Sequence, residues 1–239
     1  MINEIYKTSN HTLYQNDCFE VMKAIKDNSI DLILTDPPYG INLTPQRSNG
    51  KFKNTAVIND DNLDWLPDYV DEVNRISKNV VCIFCGWQNI DKFKMAFEEK
   101  FIVKNILIWN KDWFGMGNNY RPNYELILLL CKTNIQTKSK NKSNILTYRR
   151  LSPQKLLHSC EKPVKLLEDL IYELSEEGDI VLDTFMGSGS TGEASLNLKR
   201  KFIGIELDTT YFEIANQRIK AFQSEEFGKV RTLEKILQI

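Results

Sequence analysis

Asp36-Pro37-Pro38-Tyr39 sets a carboxylate and a phenol on either side of a segment without a backbone N–H donor. Two consecutive prolines fix φ at both positions, which makes the segment a rigid corner rich in carbonyl acceptors. A carboxylate, a fixed carbonyl and a flat ring suit a ligand that donates hydrogen bonds and stacks. A second group lies far along the chain. Gly187-Ser188-Gly189-Ser190-Thr191-Gly192 matches G-x-G-x-x-G, and Glu206 follows 19 positions after Gly187. Glycines let the backbone approach a ligand closely, and Glu206 can accept hydrogen bonds from ribose hydroxyls.

Each group needs an element to hold it. The apolar run Ile30 to Leu34 predicts a buried strand, so Asp36 sits on the loop at its carboxyl end. Ligands in open α/β sheets bind at that edge. Ile180 to Asp183 predicts a second strand, the glycine run opens a helix from Ser190 to Leu198, and Glu206 ends a strand beginning at Phe202. The glycine pattern therefore has its full strand–helix–strand setting. Further strands are expected at Thr12–Gln15, Val80–Cys85, Ile102–Trp109 and Glu125–Cys131. Helices are expected near Phe19–Ile25, Leu63–Ser77, Asp91–Glu99, Pro163–Ser175 and Tyr211–Phe222. The alternation predicts an α/β fold with a mostly parallel sheet. Ile41 to Ile58 is polar and without a clear period, and reads as a mobile loop carrying Arg47, Lys51 and Lys53.

A dinucleotide is one ligand for such a glycine loop, and a nicotinamide-dependent oxidoreductase is the class it suggests. Two features oppose it. Asp183-Thr184-Phe185-Met186 makes the link before the glycines longer than a pyrophosphate turn requires, and Asp183 would set a carboxylate beside that anion. A cationic cofactor reverses the sign: a sulfonium with an ammonium group is attracted by Asp183 and, across the cleft, by Asp36. S-adenosylmethionine fits both the glycine loop and the acidic rim.

A chain of 239 residues can bury one substantial core, with at most a small appendage. Its net charge of −1 argues against a uniformly basic nucleic-acid binder. The average hides an asymmetry, because Leu126 to Cys160 holds no acid and seven basic residues. That stretch suits either a polyanionic partner or a solvated loop, and a non-catalytic nucleic-acid-binding module would explain it alone. No apolar run approaches the ~18 residues of a membrane span, and Met1 to Lys7 lacks the apolar core of a signal peptide. Five cysteines at irregular spacing suit a reduced compartment, so a cytoplasmic setting is expected. Cys82 and Cys85 would point to opposite faces of a strand, which does not suit one metal, and His11 and His158 are isolated. Trp65, Trp87 and Phe93 read most simply as core or interface.

The motifs and their order resemble the DNA amino-methyltransferases, specifically the β-type adenine-N6 group. The matching residues are Asn16-Asp17-Cys18, Asp36 to Tyr39, the Trp109 to Glu125 segment, His158-Ser159-Cys160-Glu161-Lys162-Pro163, Asp183 to Gly192 and Gly204-Ile205-Glu206. They cover nearly the whole chain. Thr184 departs from the proline common in the family, and Ser190 from its threonine. The resemblance implies a circularly permuted Rossmann-like fold: a seven-stranded, mostly parallel sheet with helices on both faces and a final antiparallel strand. Residues 1–131 and 158–239 would form one catalytic domain, catalytic half first, and 132–157 a short basic target-recognition segment. Asp17 would contact the cofactor's adenine and Glu206 its ribose. Phe185, Gly187 and Gly189 would line the methionine arm, with Lys162 and Pro163 beside the same pocket. Cys18, Asp36, Asp183, Ser188, Ser190, Thr191 and Leu207 complete the implied cofactor set. DNA is the implied partner; relatives often dimerise, and a cognate restriction endonuclease is a further partner the resemblance admits.

The same resemblance gives Asp36, Pro37, Pro38 and Tyr39 their task. An exocyclic amine is a poor nucleophile because its lone pair is delocalised into the ring. Asp36 and the Pro37 carbonyl would accept both amino hydrogens, stabilising developing charge more than acting as a strong base. The base must leave the duplex, and Tyr39 offers it a stacking face. Within the family, Asp before Pro-Pro usually goes with adenine and Ser with cytosine-N4, so RNA adenine and DNA cytosine-N4 are the alternatives. Lys138, Lys140 and Lys142 would contact phosphates and Arg149 or Arg150 a guanine edge. Arg47, Lys51 and Lys53 would close over the flipped base, and Tyr120 and Arg121 would also reach DNA.

Overall fold

The strand predicted ahead of Asp36 is β3 (Ile30–Thr35), and it lies in the interior of the sheet. The structure, a computed structural model, describes residues 4–42, 60–113, 119–151 and 161–226. In chain order the elements begin with β1 (Glu4–Lys7), β2 (His11–Gln15), α1 (Cys18–Ala24) and β3, then α2 (Leu66–Ile76), β4 (Ser77–Cys85) and α3 (Ile90–Glu98). Next come β5 (Ile102–Asn110), β6 (Tyr124–Cys131) and β7 (Ile145–Thr147). The chain closes with α4 (Val164–Leu174), β8 (Ile180–Asp183), α5 (Ser190–Asn197), β9 (Lys201–Glu206) and α6 (Thr209–Glu226).

Nine strands among the described residues form one sheet in the order β1-β2-β9-β8-β3-β4-β6-β5-β7. The seven predicted strands are its continuous middle; β1 and β7, of 4 and 3 residues, extend the edges and are too short to show a period. β2, β9, β8, β3 and β4 run parallel. Within the seven the antiparallel strand is β6, internal rather than last and paired with both β4 and β5, while at the edge β1 runs antiparallel to β2. A reversed neighbour needs only a turn, whereas a parallel one needs a crossover. The crossover through α3 leaves one strand's width between β4 and β5, and β6 folds back to fill it.

α1, α2 and α3 cover one face of the sheet. α4 packs on the other through Leu166, Leu167, Leu170 and Ile171, beside α5 and α6. Each of these leucines, once buried, contributes about 1.5–3 kcal/mol. Cys82 and Cys85 fall in the cores on opposite faces. β3 and β8 are neighbours, yet the next helix after β3 (α2) and after β8 (α5) lie on opposite faces. A crevice opens between their carboxyl ends at this switch point. Tyr69 of α2 braces it, bonding the Thr184 hydroxyl at 2.6 Å. Among the described residues no helix is long and apolar enough to cross a membrane.

The basic stretch has another use than the expected one. Lys138 bonds the Ser175 carbonyl at 2.8 Å and pairs with Glu176 at 3.0 Å. Lys142 pairs with Asp169 and, at 3.4 Å, with Glu173, while Ser139 also bonds Glu173. These lysines fasten the segment to the outside of α4, away from the crevice, and their charge is met by acids about one helix further along the chain. Lys140 is exposed beside them. Only after β7, which runs parallel to β5, does the segment return to the carboxyl edge, where Arg150 N–H donates to the Lys111 carbonyl at 3.1 Å. Arg47, Lys51, Lys53, His158 and Cys160 lie outside the described residues.

Candidate active site

β3 delivers Asp36 into the crevice, and both carboxylate oxygens are engaged. Tyr39 OH donates to Oδ1 at 2.5 Å, and the Lys162 ammonium donates to Oδ2. Lys162 Nζ also lies 3.2 Å from Glu125, whose other oxygen accepts from Lys111 at 2.5 Å. Burial raises the Asp36 carboxyl above its usual range, with Glu125 adding to the effect and Lys162 opposing it. Burial acts on Glu125 the same way, but Lys162 and Lys111 outweigh it and hold that carboxyl low. Backbone contacts keep the corner rigid. Asn89 Nδ2 donates to the Tyr39 carbonyl at 2.7 Å, and Asp60 accepts from Gly40 N–H at 2.8 Å. Gly40 has φ +67°, a conformation that favours glycine.

The second group of residues faces the same space. A cavity of about 650 Å³ runs from the corner to the glycine turn, within the ~300–1,000 Å³ of pockets that enclose a small molecule. Every residue of the expected cofactor set lines it except Gly189 and Pro163. Gly189 has φ +80°, and a Cβ there would stand 2.9 Å from Ala215, so this glycine lets α5 and α6 meet. Glu206 accepts from Gly187 N–H at 2.9 Å and Asp208 N–H at 2.8 Å, which sets its carboxylate at the turn. Thr35 Oγ1 donates to Asp183 at 2.8 Å, tying β3 to β8. Asp17 caps α1, accepting from Phe19 N–H at 2.9 Å, while facing the cavity.

Burial pushes both Asp183 and Glu206 up to about 6, and neighbouring carboxylates add to each. Four carboxylates, Asp17, Asp183, Glu206 and Asp208, line the cofactor side of the cavity. That arrangement fits a cation and repels a pyrophosphate. Burial also pushes the Cys18 thiol up to about 12, so it is no thiolate nucleophile at neutral pH.

The sequence model of the family described as DNA methylase matches residues 30–217. The chain belongs to this DNA methylase family. It is 30% identical over 253 residues to the Type II methyltransferase M.HinfI of Haemophilus influenzae, covering 88% of this chain and 68% of that protein. It is 27% identical over 261 residues to the DNA adenine methyltransferase YhdJ of Escherichia coli (strain K12), covering 92% and 87%. The crystal structure of an M1.HpyAVI–SAM complex is similar with a TM-score of 0.64 and 32% identity, over 87% of this chain and 99% of that one. The methyl donor of this DNA methylase is S-adenosylmethionine.

The acidic cavity gives the methylase a testable pH dependence. Asp183 and Glu206 have folded pKa values above their unfolded ones. Protonated, they favour the fold, and that stability is lost as pH rises through about 6. A cation facing the carboxylates offsets the loss. S-adenosylmethionine should therefore raise Tm more at about pH 7.5 than at about pH 5. Equal shifts in a thermal-melt series would show that the donor's charge does not meet these groups.

Sequence reasoning missed several residues of the methylase site. Glu125 closes a segment matched to the family, but a single acid ahead of an apolar strand gives no sign of what it faces. Asn89, which pins the corner, has no local signature. Trp87, expected in a core or interface, is 59% exposed and lines the cavity mouth. Phe93 is in the core, and Trp65 packs edge-on to Tyr69. Tyr120 is exposed, and Arg149 lies over the Trp113 ring at 5.2 Å.

Proposed function

We propose that this chain transfers the methyl group of S-adenosylmethionine to the N6 amino group of an adenine flipped out of DNA. One observation carries the reading: the acceptor corner of Asp36 to Tyr39 and the carboxylate-lined glycine turn open into one cavity. The donor supplies an electrophilic methyl group on a sulfonium sulfur. Asp36 and the Pro37 carbonyl accept the two amino hydrogens, which favours a pyramidal nitrogen with its lone pair free. That pair forms the N–C bond, the S–C pair stays on sulfur, and Asp36 relays the released proton toward water. Asp17 and Glu206 hold the donor's adenine and ribose, and Phe185 and Gly187 flank its methionine arm.

The base stacks on Tyr39. Tyr39→Ala should slow methyl transfer by up to ~100-fold, since base–aromatic stacking is worth roughly 1–3 kcal/mol. The Tyr39 hydroxyl bonds Asp36, so Tyr39→Phe should cost only about fivefold, the worth of one hydrogen bond. Equal losses in both variants would argue against stacking.

Target recognition falls to the carboxyl-edge end of 132–157 rather than to its lysines. The return of the segment beside Asn110 and Lys111, with Arg149 on Trp113, supports this. Replacing Arg149 and Arg150 by Ala should lower the salt slope of DNA binding by about 2, about one per phosphate contact. Replacing Lys138 and Lys142 should leave the slope unchanged; a flattened slope there would return the recognition surface to the lysines.

The Type II name of the Haemophilus relative supports a cognate restriction endonuclease as partner. A homodimer is tested by sedimentation, and DNA as substrate fits a cytoplasmic setting. The deciding experiment expresses the chain in methylation-free cells beside its Asp36→Ala variant. Modification-sensitive sequencing should find N6-methyladenine at one sequence motif with the first and none with the second. N4-methylcytosine, or methylated RNA alone, would overturn the base assignment.

A further inference from the structure

Glu125 is buried beside the reacting carboxylate and has no part in the chemistry above. Lys111 holds its Oε1 at 2.5 Å. Its Oε2 lies 3.2 Å from Lys162 Nζ, yet accepts no hydrogen bond from the described residues. Lys162 donates to Asp36 Oδ2 instead, and Tyr39 takes Oδ1. The acceptor that a target amino group requires is thus already covered by a cation. The conflict deepens along the reaction, because the amino nitrogen becomes positive as the N–C bond forms, and an ammonium on the same carboxylate opposes that charge. Lys162 is already ion-paired with Glu125 Oε2 at 3.2 Å, so a short shift of the ammonium toward that oxygen would transfer it from one carboxylate to the other.

We propose that Glu125 is a positioning residue that takes Lys162 over from Asp36 when the target amino group arrives. The order Asp36, Lys162, Glu125, Lys111 alternates in sign, and all four line the cavity. Before the exchange Lys162 is hydrogen-bonded to Asp36 and only ion-paired with Glu125, at 3.2 Å, while Lys111 holds the other Glu125 oxygen. After it Asp36 holds the amino group, and Glu125 holds both lysines, one on each oxygen. The summed charge of the four groups is zero at both stages, and Asp36 keeps a hydrogen-bonding partner throughout, the amino group replacing the ammonium. The Phe84 ring, 4.9 Å from the ammonium, bounds its travel on one side. The other titratable groups around Asp36 are Tyr39, Asp183 on β8 and the Cys85 thiol ending β4. None of them is placed to receive Lys162. Free of Lys162, Asp36 faces the amino nitrogen alone, and the positive charge growing on that nitrogen takes over from Lys162 in keeping the buried carboxylate ionised.

The inference rests on the amino-group chemistry proposed above. Its test is Glu125→Gln, which keeps the shape and removes the charge. Single-turnover methylation of DNA from methylation-free cells, at saturating S-adenosylmethionine, should slow by about 30-fold or more. Binding of S-adenosylhomocysteine by calorimetry, and of DNA, should stay within about threefold of wild type. In a Lys162→Met background there is nothing to hand over, so the same change should cost less than about threefold. Equal costs in both backgrounds would overturn the proposal, as would a Glu125→Gln enzyme with the wild-type rate. Loss of S-adenosylhomocysteine binding in Glu125→Gln would assign Glu125 to the fold and also overturn it. Mass spectrometry of the wild-type product separates the two claims: methylcytosine in place of methyladenine sinks the adenine assignment and leaves the comparison of rates standing.

Discussion

Asp36→Ala should abolish methyl transfer, by at least about a thousandfold, while S-adenosylhomocysteine binds within about tenfold of wild type. The carboxylate is the charged half of the acceptor pair, and the transition state places positive charge on the nitrogen it holds. Losing such a preorganised partner removes stabilisation that the ground state never had, so the effect falls on turnover. The cofactor side is insulated from the change. Asp17, Asp183, Glu206 and Asp208 still line it. The fold is protected as well, because Lys162 keeps Glu125 at 3.2 Å when Asp36 is gone, so no ammonium is stranded. Calorimetry and tritiated-methyl transfer on one preparation check both halves. Turnover near wild type would remove Asp36 from the chemistry, and lost ligand binding would move it to the cofactor site.

Arg218→Met should lower the free energy of unfolding by about 3–5 kcal/mol, the largest effect on stability expected of a single change here. Arg218, on α6, is buried with its guanidinium on Glu161, 3.3 Å from Glu193 and 3.4 Å from the Ser188 hydroxyl. Its removal takes from the buried Glu161 carboxylate the guanidinium that neutralises it. The pair also joins α6 to the residue before Lys162 and to the glycine turn, so cofactor affinity should fall with stability. Urea unfolding measures the first effect. The double variant Glu161→Gln with Arg218→Met should recover part of the loss, because the stranded charge is gone. A double variant no more stable than Arg218→Met would locate the cost in packing.

Much of this protein is legible locally. Val80 to Cys85 is a continuous apolar run of strand length, and Ile30 to Leu34 is apolar but for Asp31, because both faces of the sheet are covered and each strand must be apolar on both sides. The other strands of the sheet's middle read from shorter or interrupted runs, such as Thr12 to Gln15 and Ile102 to Trp109. The chemical motifs are contiguous for a related reason: a rigid acceptor corner and a glycine turn are backbone conformations, written in consecutive residues. Edge strands of 3 and 4 residues carry no period to find. The position of β6 depended on the gap left by a crossover elsewhere.

Charge behaved differently. Lys138 and Lys142 formed an acid-free cluster in the sequence, and Asp169 and Glu173 of α4, with Glu176 just beyond it, neutralise them. Lys162 meets Asp36 across a separation of 126 positions, and Glu125 joins them from β6. Gly189 matched a ligand-binding pattern, but its contact with Ala215 makes it a packing residue. The sequence by itself determined the strands, the acceptor corner and the cationic character of the cofactor, since each follows from neighbours along the backbone. Only the tertiary structure decided which charges compensate one another around Asp36, because side-chain charges act through space and the folded chain chooses their partners.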